Sequence, residues 1–448
     1  MVSTPVPDTL TVTRLECRDP LWSGGTIRLR YAALAGETVA VEFTEVIELP
    51  AGLDHVPAAT LDPILRLLSL AASLSYFKAF APAAVAVPSG LTPRERHFLA
   101  DVTRHGLGEF AYVNRIPEVF ETVIEAPELP EQAAEQASEP GEPRRALVAV
   151  GGGKDSIVSI EALTAAGLDV GLFAVNSYTP ISRTAEVADI PLTSARRTLD
   201  PALFALNEAG APNGHVPVTA VNSLIAVLTA LACRFDTVVF SNEASSSFGN
   251  VDWEGQQINH QWSKGIEFER LLRESLPAGA PQYVSLLRPL TELRIARRFA
   301  EHRAYHRVFT SCNRAFKLRE SDRTSWCADC PKCRFVFLCL APFLEREALL
   351  DIFGGRDMFA DPAQHGGFLE LLELDGLHKP FECVGEPAEC RVALGLLREH
   401  PGWRDHPFLA LPQIAAVPVD PAEREEAFAF REHEHFLTPS LEAVARAV

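Results

Sequence analysis

Along the first fifty residues, apolar and polar positions trade places in short runs. "TIRLRYAAL" and "TVAVEFTEVIEL" alternate with the two-residue period of strands that bury one face, so residues 9–50 are expected to form antiparallel strands. The period then changes. Residues 61–81, "LDPILRLLSLAASLSYFKAFA", predict one strongly apolar helix. "TPRERHFLADVTRHGLG" predicts a second, with Thr92 as N-cap and Pro93 at the first helical position. From 125 to 145, "EAPELPEQAAEQASEPGEPRR" is nearly bare of large apolar residues and reads as a linker. Beyond it, "RALVAV", "DVGLFAVNS", "HVPVTAVN" and "DTVVFSNEAS" read as strands, with helices expected at 156–166 and 222–233. Strands and helices in this rhythm imply an α/β, doubly wound parallel sheet. The expected organisation is an N-terminal α+β domain (1–124), the linker (125–145), the α/β domain (146–340) and a mostly helical C-terminal region (341–448).

The stretch "ALVAVGGGKDSIVSIEALTAAG" stands out within this rhythm. Its apolar strand ends in Gly151, Gly152 and Gly153, continues through Lys154, Asp155 and Ser156, and resumes as an amphipathic helix ending at Gly167. A tight strand-to-helix turn of this kind directs free backbone N–H groups and the positive end of the helix dipole at one point, which suits an anion. The plainer alternative is an ordinary glycine-rich turn. Ligands of doubly wound sheets sit at the carboxyl ends of strands. "VNS" (175–177) and "SNEASSSFGN" (241–250) fall at such ends too, which adds Asn176, Ser177, Asn242 and Glu243 as candidate nucleotide contacts.

The 448-residue chain carries a formal charge of −18, which argues against a general nucleic-acid binder. No apolar run approaching a membrane span of roughly 18 residues stands out. The N-terminal stretch lacks a secretory pattern, so a cytoplasmic protein is expected, with its nine cysteines reduced or bound to metal. Cys312, Cys327, Cys330 and Cys333 are spaced C-x14-C-x2-C-x2-C, able to close a four-thiolate zinc site. Arg294, Arg297 and Arg298 form the densest basic helix, either a local anion contact or a solvated face. "NHQWSKGIEFE" (259–269) reads as a solvated helix start or a site containing His260 and Lys264. "GLHKPFECVGEPAECR" (376–391) gathers His378, Lys379, Cys383 and Cys390, where a thiolate beside Lys379 or His378 would have a lowered pKa.

GGGKDS resembles the SGGxDS pyrophosphate loop of the PP-loop ATP pyrophosphatases, with Gly151 where that family has serine. The cysteine spacing resembles the zinc site of the cyano-deazaguanine synthases, another PP-loop branch. Taken in order, "LSYFKAFAP", GGGKDS, "NHQWSKGIEFE", "WCADCPKCRFVF" and "HKPFECVGEPAECR" resemble the UDP-N-acetylmuramoyl-L-alanyl-L-glutamate epimerases of peptidoglycan synthesis. The resemblance implies ATP-dependent epimerisation of a terminal L-glutamate through an acyl-adenylate, with release of AMP and pyrophosphate. It implies residues 151–156 around the pyrophosphate, Asp155 helping to hold magnesium, and a structural zinc. The substrate would be a small UDP-muramoyl dipeptide, with no nucleic-acid or membrane partner. Proton transfer could use Cys383 and Cys390 as a two-thiol pair, or one base, Lys264 or His260. Alternatives are a PP-loop enzyme acting on a nucleobase, by ligation or thiolation, and a non-catalytic nucleotide sensor.

Overall fold

The computed structural model describes residues 11–131, 141–312, 314 and 326–448. By contacts the chain divides into two units. One comprises Met1–Gly141, Thr193–Val238 and Val251–Tyr283; the other comprises Glu142–Leu192, Val239–Asn250 and Val284–Val448.

In the first unit, Arg14–Ser23, Thr26–Ala35 and Thr38–Glu48 form the expected antiparallel meander. Alternation places Leu15, Cys17, Ile27, Leu29, Phe43 and Ile47 in the core. Ala84–Ala86 and Val123–Glu125 extend it in parallel, and Arg196–Thr198 pair antiparallel with Val46–Glu48. Arg197 is fully seated here, donating to Glu45 at 2.6 Å and to Ser75 at 3.1 Å. Helix Ala58–Phe77 is apolar and long enough to cross a membrane, contrary to the expectation that no such run occurs, but 72% of its apolar window is buried in the protein. Its Ser69 carbonyl accepts from Tyr31 at 2.8 Å, marking it as a core helix. Helix Pro93–Arg104 starts as expected, with Thr92 and Glu95 closing a reciprocal capping box.

In the second unit, Arg145–Ala149 and Asp169–Val175 pair in parallel around helix Lys154–Ala165. Within this unit the strand order is residues 284–285, residues 239–240, Arg145–Ala149, Asp169–Val175, so the chain leaves Arg145–Ala149 to one side and later returns on the other. The N–H of Leu286 donates to the Phe240 carbonyl, as in a parallel ladder. This is an α/β fold, and its switch point lies at the carboxyl end of Arg145–Ala149. The C-terminal part is helical, as expected. Its core runs without a break into the α/β part through Phe335, Phe337, Phe359, Val392 and Trp403, so residues 341–448 belong with 146–192.

Three further expectations differ from the structure. "HVPVTAVN" is no strand: Pro217 caps helix Val218–Cys233, whose apolar period already includes Ala220 and Val221. Residues 193–238 and 251–283 group with the N-terminal residues, which the split at 146 did not anticipate. The linker is shorter than 125–145. Arg96 donates to the Ile124 and Ala126 carbonyls, and Leu91 exchanges backbone bonds with Pro127 and Leu129. Residues 132–140 of that segment lie outside the described chain.

Candidate active site

The glycine turn has the shape an anion needs. Gly152 sits at φ +77° and Gly153 is the N-cap of helix Lys154–Ala165, with no side-chain cap. The N–H of Thr310 donates to the Gly152 carbonyl at 2.9 Å, and Ser156 Oγ donates to the Gly153 carbonyl at 3.0 Å. A Cβ at Gly153 would lie 2.7 Å from Ser311 Oγ, and one at Gly152 would lie 3.0 Å from Pro180 Cβ. Nothing lies within 4 Å of a Cβ at Gly151, so there is room for a side chain such as serine at this position. Gly152→Ala is therefore expected to destabilise by about 1–2 kcal/mol. Gly151→Ser should change stability by less than about 0.5 kcal/mol. Thermal melting of both variants checks this; equal melting temperatures would contradict it.

The other strand ends converge here. Asn176 adopts φ +52° just after Asp169–Val175, and Ser177 Oγ lies 3.1 Å from Ser182 Oγ. Asn242 donates to Ser285 Oγ at 3.1 Å. Glu243 accepts from the Ser246 N–H at 3.0 Å, while buried Arg288 donates to its carbonyl at 2.8 Å. In this structure, then, the Asn242 and Glu243 side chains help shape their own loop.

Lys154 is buried and ion-paired with both Asp155 and Glu292. Burial alone would lower its pKa, but the two carboxylates outweigh that and hold it above the usual lysine value. Glu292, at the start of helix Glu292–Ala300, is pushed up by burial against the pull of Lys154. Lys332 lies 3.9 Å from Glu292 and also donates to the Cys383 carbonyl. Glu389 accepts from the Leu293 N–H at 2.8 Å, and its other oxygen is buried with no hydrogen-bond partner. Burial, reinforced by Glu292 and Glu386, raises its pKa to about 8.

Because the Glu389 value lies above the ordinary 4.5, folding favours the protonated form, so stability falls as pH rises from about 4.5 to about 8. The slope attributable to this group is about 1.4 kcal/mol per pH unit inside that window. Glu389→Gln should flatten the curve there, and melting temperatures of both proteins across pH 5–8 check it. A slope unchanged by the substitution would contradict the assignment.

Sequence reasoning missed Glu292, Lys332, Glu389 and Arg288. Glu292 follows the capping Thr291, so it carries the pattern of a first-turn acid and no signal of a buried pair.

Cys312, Cys327, Cys330 and Cys333 are all buried, and their sulfurs lie within 4.8 Å of one another. Hydrogen bonds from Cys330 and Cys333 pull the Cys312 thiol down, while Cys330 is pushed up to about 12. Four thiolates in one place need a cation, and an all-sulfur set of this size suits tetrahedral zinc. The cluster is wired to the glycine turn, because the Cys312 N–H donates to Thr310 Oγ1 at 3.1 Å.

The C-terminal candidates differ in burial. His378 is exposed, and Lys379 is buried with its charge bearing on Glu386 and Cys390. Cys390 is fully buried on helix Pro387–Glu399. Burial and Glu389 push its thiol up against the pull of Lys379, opposite to the lowered value expected from sequence. Cys383 is half-buried.

In the first unit, Asn259, Gln261 and Ser263 are buried, so 259–264 is not a solvated helix start; Lys264 ends the turn Trp262–Lys264. His260 contacts Glu109. The basic helix is divided: Arg294 is enclosed, whereas Arg297 is exposed and Arg298 meets an exposed acid, as on a solvated face. Arg294 is buried and donates to the Phe428 and Arg446 carbonyls, Arg297 lies over the Phe428 ring, and Arg298 pairs with Glu301.

Comparison with known families places these features. Residues 13–286 match the MurL N-terminal domain and residues 308–427 the MurL C-terminal domain. Over 393 residues, 86% of both chains, the sequence is 50% identical to the UDP-N-acetyl-alpha-D-muramoyl-L-alanyl-L-glutamate epimerase of Micromonospora sp.. The Salinispora tropica epimerase of the same name is 51% identical over 396 residues, 86% of this chain and 84% of the relative. That of Xanthomonas oryzae pv. oryzae is 44% identical over 386 residues, 85% and 84% of the two chains.

Proposed function

The chain belongs to the UDP-N-acetyl-alpha-D-muramoyl-L-alanyl-L-glutamate epimerase family, and from that premise we propose how it inverts the glutamyl centre of a peptidoglycan precursor. It is an isomerase, which leaves no place for the nucleotide-sensor alternative.

A free α-carboxylate makes the neighbouring C–H a very weak acid, because the carbanion would sit beside a negative charge. ATP supplies the remedy: the carboxylate oxygen attacks the α-phosphorus, pyrophosphate leaves, and the acyl-adenylate formed is a far better electron sink. One base removes the α-proton and a proton returns on the opposite face. Water then cleaves the adenylate to the D-glutamyl product and AMP.

The observation that carries this reading is the uncapped helix start behind Gly151–Gly153 at the switch point of the sheet. Its free N–H groups suit the pyrophosphate. Asp155, partly exposed at the helix start, is the carboxylate that would hold magnesium beside it, while Lys154 spans Asp155 and the buried Glu292. The four cysteines would hold a structural zinc that fixes the 310–312 segment against the turn.

The test is incubation with UDP-muramoyl-L-alanyl-L-glutamate, magnesium and ATP, followed by hydrolysis and chiral analysis of the glutamate. D-glutamate should appear only with ATP, and in step with AMP and pyrophosphate. D-glutamate formed without ATP would remove the activation step while leaving the epimerase assignment in place.

A further inference from the structure

Three metal-ligating side chains of the first unit meet from separate stretches of chain. Glu109 comes from helix Gly108–Asn114, His215 from the irregular segment before Pro217, and His260 from the turn after strand Gln256–Ile258. One donor atom of each lies within 4.8 Å of the others, and all three residues are half-buried. His260 Nδ1 contacts Glu109 Oε2, and His215 Nδ1 faces the same oxygen from 3.9 Å. The imidazole centroids are 4.5 Å apart.

The 3.9 Å separation is too long for a hydrogen bond. Donors about 2 Å from a tetrahedral centre lie about 3.3 Å apart, so on binding an ion His215 would close in on Glu109 and His260 would draw back from it. We propose that Glu109, His215 and His260 form a second metal site, separate from the cysteine cluster, for a divalent ion of the zinc class. Two imidazoles and one carboxylate suit zinc or cobalt, whereas calcium and magnesium want all-oxygen sets. Three protein ligands leave a coordination position open. Lys78 and Lys264 lie near enough for their charges to bear on His215, and these two ammonium groups work against a further cation there. The site should therefore hold metal less tightly than four thiolates.

The experiment measures bound metal on the full chain after loading with zinc alone and desalting. His215→Ala and His260→Ala should each lose about one equivalent per chain relative to wild type. Glu109→Gln, nearly isosteric, should weaken zinc binding at the same site and serves if a histidine variant fails to fold. Cobalt loading distinguishes the two sites, because cysteine ligation gives a near-ultraviolet thiolate-to-metal band that these variants should keep. Their loss should fall in the weak visible bands alone. Equal metal content in wild type and in every folded variant would overturn the proposal, as would loss of the thiolate band together with the missing metal.

Discussion

Asp155→Asn is expected to lower ATP-dependent epimerisation at least about a hundredfold, the scale on which removing one preorganised electrostatic contact acts. Folding should be nearly unaffected. The Asp155 side chain is 26% exposed, and its partner Lys154 keeps the buried Glu292 after the substitution. Screening at a partly exposed pair limits the stability cost to about 1 kcal/mol. Lys154→Met should behave differently. It leaves Glu292, almost wholly enclosed, with Lys332 at 3.9 Å as its one ion-pair partner among the described residues. Breaking a buried pair from one side costs about 3–5 kcal/mol, so a large fall in melting temperature should accompany the loss of turnover. Pyrophosphate release and thermal melting measured on both variants check the contrast. Near-normal turnover in Asp155→Asn would remove this turn from the chemistry.

Cys333→Ser should release about one zinc per chain and destabilise the second unit. Cys333 is fully buried, within 3.6 Å of Cys327 and 3.4 Å of Cys330, and its helix carries Lys332 into the Glu292 pair. A loss of about 3 kcal/mol, modest beside that of isolated zinc peptides, would lower the melting temperature of a domain this size by roughly 6–12 °C. The Thr310 N–H that braces Gly152 stands two residues from Cys312. The apparent affinity for ATP should therefore weaken as well. Metal analysis finding no zinc in well-folded protein would refute this prediction, and so would a disulfide among these cysteines under reducing conditions.

What could be read along the chain was local. The alternation of 26–49, the capping box of Thr92 and Glu95, the apolar helix near 61–77 and the glycine turn before Lys154 each depend on residues a few positions apart. Backbone preference and period suffice for these. The four-cysteine cluster was legible too, because the tight C-x2-C spacings confine thiols to one place before any packing occurs.

Other features were decided by residues far apart in sequence. Val216, Val218 and Ala220 alternate like a strand, yet Pro217 opens a helix there whose apolar positions Ala220, Leu224 and Val227 are all buried. Cys390 looked like an activated thiol beside Lys379, but packing of helix Pro387–Glu399 took it out of water, and desolvation outweighs one nearby ammonium. Glu292 was one acid at a helix start until Lys154, distant in sequence, was folded against it. Glu109 and His215, distant in sequence from His260, reach it through the fold. By itself the sequence determined most of the elements, the glycine turn and the thiol cluster, since short-range sterics and spacing act before the chain is packed. Only the tertiary structure decided which charges are paired, which thiols are desolvated and which imidazoles meet, because burial and Coulomb energy depend on neighbours that the linear order does not place together.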